Sequence, residues 1–366
     1  MEIDSAPDLM MVQVVPTLNG MEESLMEKSE KELIEPKQKW EVDLFRPEDA
    51  PGVTGLFRMV YGDGYPVKTF TDPERLIEEN AARRTISCVA RTPKGDIVGH
   101  SALYPSAPFR GLFEFGATLT APNYRAGVLG FRLTEYCVGE MAGRFGVEIV
   151  FGEPVCSHIV MQKIGAKLKF EPCAVEVDLM PAEAYTKEEG SRGRVATLLN
   201  FRIIDPKPQT IHLPAAHEET ARFIYGGIRH ECRLIPSSGK LPDREETRVD
   251  VQIFDFSKVA RFAVQEAGAD FASVFDREEA AARGKGTIVH QVWLKLSWPW
   301  VGRVVELLRS RGYFIGGLLP RWFDMDGLLM QKVFGPPNWD GIQVFGERAG
   351  RILEMVKADW KRTVSS

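Results

Sequence analysis

Thr120-Ala121-Pro122-Asn123-Tyr124-Arg125-Ala126-Gly127-Val128-Leu129-Gly130 is the stretch that decides how this chain folds. Proline fixes φ and opens a turn, and the two outer glycines relieve the backbone of Cβ groups where a helix is about to start. Upstream, Leu112 to Leu119 reads as a strand. Downstream, Leu129, Leu133, Tyr136, Cys137, Val138 and Met141 recur mostly at three- and four-residue spacing, which predicts a helix over Arg125 to Phe145. A helix start offers unpaired backbone N–H groups and the positive end of the dipole, so a strand, turn and helix in this order make an anion site. Arg125 adds a fixed positive charge, and glycine lets the backbone come close to phosphate oxygens. The same residues also fit an ordinary helix start whose glycines serve packing.

Working outward, Glu41 to Phe45 reads as a strand, and Arg46-Pro47-Glu48-Asp49 as a helix start, with proline leading an acidic first turn. One or two helices follow to about Ala82. Thr85 to Arg91 and Ile97 to Tyr104 are β-rich and joined by the hairpin-like Thr92-Pro93-Lys94-Gly95-Asp96. Beyond the long helix come a strand at Val147 to Gly152, a helix from about Cys156 to Leu168 and a strand near Val175 to Leu179. Residues 1–39 mix short runs of both charges with isolated apolar side chains and are expected to form a mobile leader. Lys187-Glu188-Glu189-Gly190-Ser191-Arg192-Gly193-Arg194 has linker composition. The expected organisation is a first domain over 40–181, a linker over 182–195 and a second domain over 196–366.

Composition narrows the partners. The chain has 366 residues, 44% of them hydrophobic, which is enough for two cores at roughly 100–200 residues per domain. Forty-six basic and 51 acidic residues give a net charge of −5, so neither nucleic acid nor an anionic membrane is an expected partner. Five cysteines without a C-x-x-C pair imply neither a disulfide framework nor a metal site, and suit a reducing cytoplasm. No signal peptide or membrane span is expected.

Gly95-Asp96-Ile97-Val98-Gly99-His100 resembles the G-x-[IV]-V-G turn and third strand of the GNAT N-acetyltransferase superfamily. Thr120 to Gly130 resembles that family's V-x-P-x-Y-R-G-x-G-x-G signature, with Val128 where the usual pattern has glycine. Val60-Tyr61-Gly62-Asp63-Gly64-Tyr65, Ser157-His158 and Phe170 to Ala174 are similar to a subgroup with two GNAT-like halves. The resemblance spans about Trp40 to Pro181 and implies an α/β (α+β) fold with a mixed sheet. It also implies acetyl-CoA as cosubstrate, without metal, and direct transfer of its acetyl group to a small-molecule amine or a protein amino group in a ternary complex. Leu119, Thr120, Tyr124, Arg125, Ala126, Gly127, Val128, Leu129 and Gly130 are then the cofactor-binding residues, with a bulge in the fourth strand near Leu119 and Thr120 supplying a backbone N–H.

Glu114 on that strand is the candidate general base, or else a surface carboxylate. A family tyrosine that protonates the thiolate corresponds to Gly165 here. Cys156 and His158, with Ser157, are the alternative acids, at a helix start whose dipole would lower a thiol pKa; a cap and a packed histidine fit them as well. Tyr61 and Tyr65 border the acceptor as substrate contacts or packing aromatics, and His100 fits a satisfied structural histidine.

In the second half, Ile211 to Leu213, Val249 to Phe254, Thr287 to Leu296, Ile315 to Leu319 and Leu328 to Val333 read as strands. Ala215 to Tyr225, Trp300 to Arg311 and Gly346 to Trp360 read as helices. The closing order resembles the last third of a GNAT domain without its Pro-x-Tyr-Arg turn, implying a degenerate second GNAT-like domain. The alternative to catalysis is a non-catalytic acyl-CoA sensor or regulatory module with a protein partner.

Overall fold

The computed structural model describes residues 34–62, 65, 67–125, 127–181, 193–243 and 246–364. They gather into two compact units. The first comprises the described residues up to Ser106 together with Phe113–Val150; the second comprises Ala107–Leu112 and the described residues from Phe151 onward. The division falls inside the stretch expected to run as one domain to Pro181. Most of the expected leader and linker lie outside the described residues.

In the first unit, strand β1 (Glu41–Leu44) leads to helices α1 (Ala50–Tyr61) and α2 (Pro73–Ala81). Pro51 sits in the first turn of α1, where its missing N–H costs nothing, and the helix buries Val53, Leu56, Phe57 and Val60. Asp72 caps α2, its Oδ1 accepting from the backbone N–H of Glu74 at 3.0 Å and of Arg75 at 3.2 Å. Strands β2 (Ile86–Arg91), β3 (Ile97–Tyr104) and β4 (Leu112–Thr120) then form an antiparallel meander beside β1. Every residue of β3 is buried, because α1 packs on this strand and so does α3 (Leu129–Tyr136). A π-helical turn, Cys137–Met141, joins α3 to the short α4 (Ala142–Arg144), and β5 (Ile149–Gly152) follows.

The second unit begins with α5 (Val160–Lys167), β6 (Glu171–Met180) and β7 (Val195–Ile203). A two-stranded parallel sheet, β8 (Pro208–Leu213) with β9 (Glu231–Pro236), brackets α6 (Glu218–Tyr225). Then come β10 (Arg248–Phe254), β11 (Val259–Glu266), α7 (Phe271–Gly284), β12 (Val289–Lys295), α8 (Val301–Arg309), β13 (Phe314–Leu319), β14 (Gly327–Val333) and α9 (Glu347–Val364). Its main sheet runs β7-β6-β13-β14-β12-β11-β10. Antiparallel hairpin β10–β11, helix α7, parallel strand β12, helix α8 and the hairpin β13–β14 repeat the succession seen from β3 to β7. In both series the last strand lies inside the one before it: β14 next to β12, β7 next to β5.

A buried polar network crosses this second sheet. Glu176 on β6 accepts from Thr197 Oγ1 at 2.7 Å and Gln291 Nε2 at 2.8 Å, and pairs with Arg261 of β11 at 3.3 Å. Arg261 donates through Nε to Gln291 Oε1 at 2.7 Å and lies over the rings of Phe254 and Trp293. Such a pair is tolerated in the interior because its remaining donors and acceptors are filled. Strands β7, β9 and β11 and helix α7 were not read in the sequence. In β11 the buried arginine interrupts what is otherwise an apolar run.

The hairpins β6–β7 and β13–β14 meet at one backbone pair, Gly317 with Ala174. Gly317 has φ +143°, and a Cβ there would stand 2.2 Å from the Cys173 carbonyl oxygen and 2.5 Å from Ala174 Cα. Both obstacles are main chain and cannot swing aside. Gly317→Ala is expected to destabilise the protein by about 3 kcal/mol or more in urea unfolding, through combined overpacking and backbone strain; a loss below about 1 kcal/mol would mean that the junction can open.

Candidate active site

Strand β4 departs from regular pairing once. Glu114 faces Tyr104, Phe115 faces Leu103 and Gly116 faces Ala102; then His100 faces Leu119 and Gly99 faces Thr120. One extra residue has entered β4 at Ala117–Thr118, a β-bulge. Ala117 takes φ +48°, a left-handed conformation that costs a residue with a side chain. The bulge expected near Leu119 and Thr120 therefore lies two residues earlier, and those two residues pair regularly.

Side chains of β3 hold the bulge. His100 Nδ1 is 2.8 Å from the Ala117 carbonyl oxygen, and Ser101 Oγ is 2.7 Å from Thr118 Oγ1. A carbonyl only accepts, so His100 carries its proton on Nδ1. Its Nε2 has no hydrogen-bond partner among the described residues. Phe57 and Phe70 meet the ring edge-on at 5.5 and 5.4 Å, and burial pushes the imidazole down to about 4, the bond to Ala117 only partly opposing it. His100 is thus neutral at physiological pH and structural in its hydrogen bond.

Glu114 is not a surface carboxylate. It is 1% exposed, and Tyr104 Oη donates to its Oε1 at 2.9 Å. Tyr104 was missed in the sequence, although counting outward from a loop centred on Phe109 puts it opposite Glu114. Tyr65 is buried against Phe57, with centroids 4.9 Å apart, and stacks on Tyr61 at 4.8 Å. Burial raises the Tyr65 hydroxyl well above its usual value, with the Tyr61 and Glu114 charges adding to the effect. Burial likewise pushes Tyr61 up to about 12, and nearby Arg125 pulls in the opposite direction. Half-buried Arg125 is itself lowered by desolvation, offset by Tyr61. The fold thus associates Tyr61 with Arg125 and Tyr65 with Glu114.

After β4 the chain makes a single 3-10 turn, Pro122–Tyr124. Tyr124 is a fastener: its hydroxyl donates to the Glu35 carbonyl at 2.7 Å and accepts from the Gln38 N–H at 3.1 Å. The helix expected from Arg125 begins at Leu129, with Val128 in the cap position and no side-chain cap on its first N–H groups. Val128 is 63% exposed. A Cβ at Gly127 or Gly130 would meet nothing within 4 Å, so neither glycine serves packing. Ala126 lies outside the described residues.

Cys156 and His158 belong to the second unit. Helix α5 starts at Val160, four residues after Cys156, so its dipole does not bear on that thiol. Cys156 is fully buried, and burial, with Glu176 nearby, pushes the thiol up rather than down. The expected activated thiol is corrected on that ground. His158 Nδ1 accepts the Val160 N–H at 3.4 Å, a capping position for α5. Gly165 lies in α5, where a Cβ would make ordinary contacts with Phe170 and Asn200.

The neutral state of His100 sets a pH dependence. Its folded pKa, about 4, lies below the ordinary 6.5, so between these values the unfolded chain binds a proton that the native ring refuses. Stability is then fully present above about pH 6.5 and declines toward pH 4, by on the order of 3 kcal/mol for this residue. Buried His217 is also pushed down to about 4 and titrates in the same window. His100→Asn, which keeps a donor near the Nδ1 position, is expected to flatten part of the acid slope in denaturant melts from pH 7 to 4. An unchanged slope would mean that His100 is not buried in its neutral form.

No family model matches the chain, and no curated protein matches it. Solved structures do resemble it. The ribosomal-protein-S5-alanine acetyltransferase of Vibrio fischeri is 14% identical, with 45% of this chain and 93% of that one covered and a TM-score of 0.37. For yncA of Salmonella typhimurium, solved with its cofactor acetyl-CoA, the values are 14%, 46%, 96% and 0.37. For an acetyltransferase of the GNAT family from Streptococcus pneumoniae they are 19%, 45%, 100% and 0.37. Each likeness extends over less than half of this chain.

Proposed function

We propose that the first unit carries an N-acyltransferase centre that uses acetyl-CoA and acts on a small-molecule amine or a protein amino group. The observation that carries this proposal is the bulge at Ala117–Thr118, three residues beyond the buried Glu114 and five before the proline turn into α3. A strand that ends in a bulge and an uncapped helix start brings together the two things acyl transfer needs: backbone donors for a carbonyl oxygen and an anchor for a phosphorylated carrier.

The turn fits such a carrier. The absence of a side-chain cap at Val128 and the open space at Gly127 and Gly130 leave the N–H groups at the head of α3 accessible, with Arg125 close by. Leu119 to Gly130 would hold acetyl-CoA, which when bound supplies an activated acyl thioester. Backbone N–H groups beyond the bulge, at Leu119 and Thr120, would face the oxygen on which negative charge develops. Glu114, held by Tyr104, would take the proton that the attacking amine must lose, directly or through one water. Tyr61 and Tyr65 would contact the acceptor. The thiol that leaves is assigned no acid in the protein, consistent with the burial of Cys156.

The second unit lacks these features. Residues Val259 to Ala263 of β11 pair with Val289 to Trp293 of β12 without interruption, and the one register shift nearby lies between Arg248 and Val249. This supports a second half that retains the order of elements without a transfer site.

Calorimetric titration with acetyl-CoA is expected to give one site, weakened tenfold or more in Arg125→Ala. Equal affinity in that variant would reduce Pro122 to Gly130 to a helix start. Glu114→Gln is expected to lower turnover by roughly 10²–10⁴-fold while leaving acetyl-CoA affinity unchanged. Wild-type rates would remove Glu114 from the chemistry, and binding without turnover on any amine would favour an acyl-CoA sensor.

A further inference from the structure

A second cleft, of about 420 Å³, lies within the second unit, away from every residue used above. Its walls combine Phe201, Ile203 and Ile228 with the cations Lys169, Arg202 and Arg229. The single carboxylate in its lining, Glu171, faces Arg348 at 3.6 Å. Asp205, the nearby acid, is bonded to Lys207 at 2.8 Å. The negative charges around the cleft are thus already matched.

Arg202 stands out among the three cations. It follows Phe201 near the end of β7, is half-buried, and has no hydrogen bond or ion pair among the described residues. Desolvation lowers its guanidinium pKa, and no neighbouring charge opposes the effect. A half-buried guanidinium with five donors and no acceptor is costly unless something outside the chain completes it. Arg229 donates once, to the Ile204 carbonyl at 2.8 Å, which leaves further donors on its fork.

Lys169 adds a second sign. It occupies the left-handed position that ends α5, φ +63°, with the Phe170 N–H returning to the Gly165 carbonyl at 3.0 Å. Glycine is the unstrained choice at such a helix end. A lysine there accepts backbone strain and brings an ammonium to the cleft.

We infer that this cleft binds a small organic anion, a carboxylate or phosphate monoester that carries an apolar group. Three cations over a bare apolar wall suit an amphiphilic acid, with Arg202 making the charge-assisted contact and Phe201, Ile203 and Ile228 covering the carbon skeleton. A water occupies about 30 Å³, so the space is too large to be filled by a lone inorganic ion and fits a ring-sized ligand.

The test uses the whole chain, with phenyl phosphate and benzoate as probes in separate calorimetric titrations. One equivalent of either should bind, and the tighter probe identifies the headgroup. Arg202→Gln is expected to weaken it about tenfold or more, whereas Arg125→Ala should leave it unchanged, which separates this cleft from the turn before α3. Should Arg202→Gln fail to fold, exposed Arg229→Gln supplies the same comparison with a loss of about threefold or more. Equal affinity in the folded cleft variant, loss in Arg125→Ala, or no heat with either probe at millimolar concentration would overturn the assignment.

Discussion

A strand can keep one face toward a core only while its period of two is unbroken, and β4 breaks it once. The inserted residue shifts every side chain beyond Ala117 relative to β3, so Glu114 can stay buried opposite Tyr104 while Leu119 and Thr120 still pair with His100 and Gly99. The price is a left-handed alanine. What holds it is local and polar: an imidazole to the Ala117 carbonyl and a hydroxyl pair, Ser101 with Thr118, packed beside Phe57 and Phe70. The aromatic cluster thereby has two tasks, since the apolar environment that keeps His100 neutral also surrounds Tyr65 and shields Glu114 from water.

Much of this frame was legible in the residues. Ile97 to Tyr104 has the composition of a buried strand, Pro122 can only open a turn, and the apolar spacing from Leu129 onward is helical. Each of these signals is local, fixed by a proline ring, a β-preference or a repeat of three and four. The bulge has no such signal. Left-handed backbone is normally flagged by glycine, and Gly116 stands one position away from the residue that adopts it. Cys156 failed for a related reason: its exposure depends on where α5 starts and on the proximity of Glu176, neither of which is written in its neighbours. Strand β11 was hidden because Arg261 reads as solvent-facing until its partners, which come from β6 and β12, are known.

The two units make different use of one succession of elements. In the first, the strand before the long helix is interrupted and followed by a helix start without a cap. In the second, the corresponding strand is paired without a break and its interior is filled by Arg261 and Gln291. An irregular strand with glycines and a strained residue is expensive to maintain, and such expense is usually found where chemistry occurs. The regular strand supplies rigidity instead.

The network around Glu176 also bears on how such a chain can change over generations. A carboxylate on β6 and a guanidinium on β11 are buried together, so losing either one strands the other in a medium that cannot solvate it. The hairpin that carries Glu176 and the strand that carries Arg261 are consequently inherited as a single unit. Recombination between relatives that separates them would yield folded products only where both parents carry the same pair of charges.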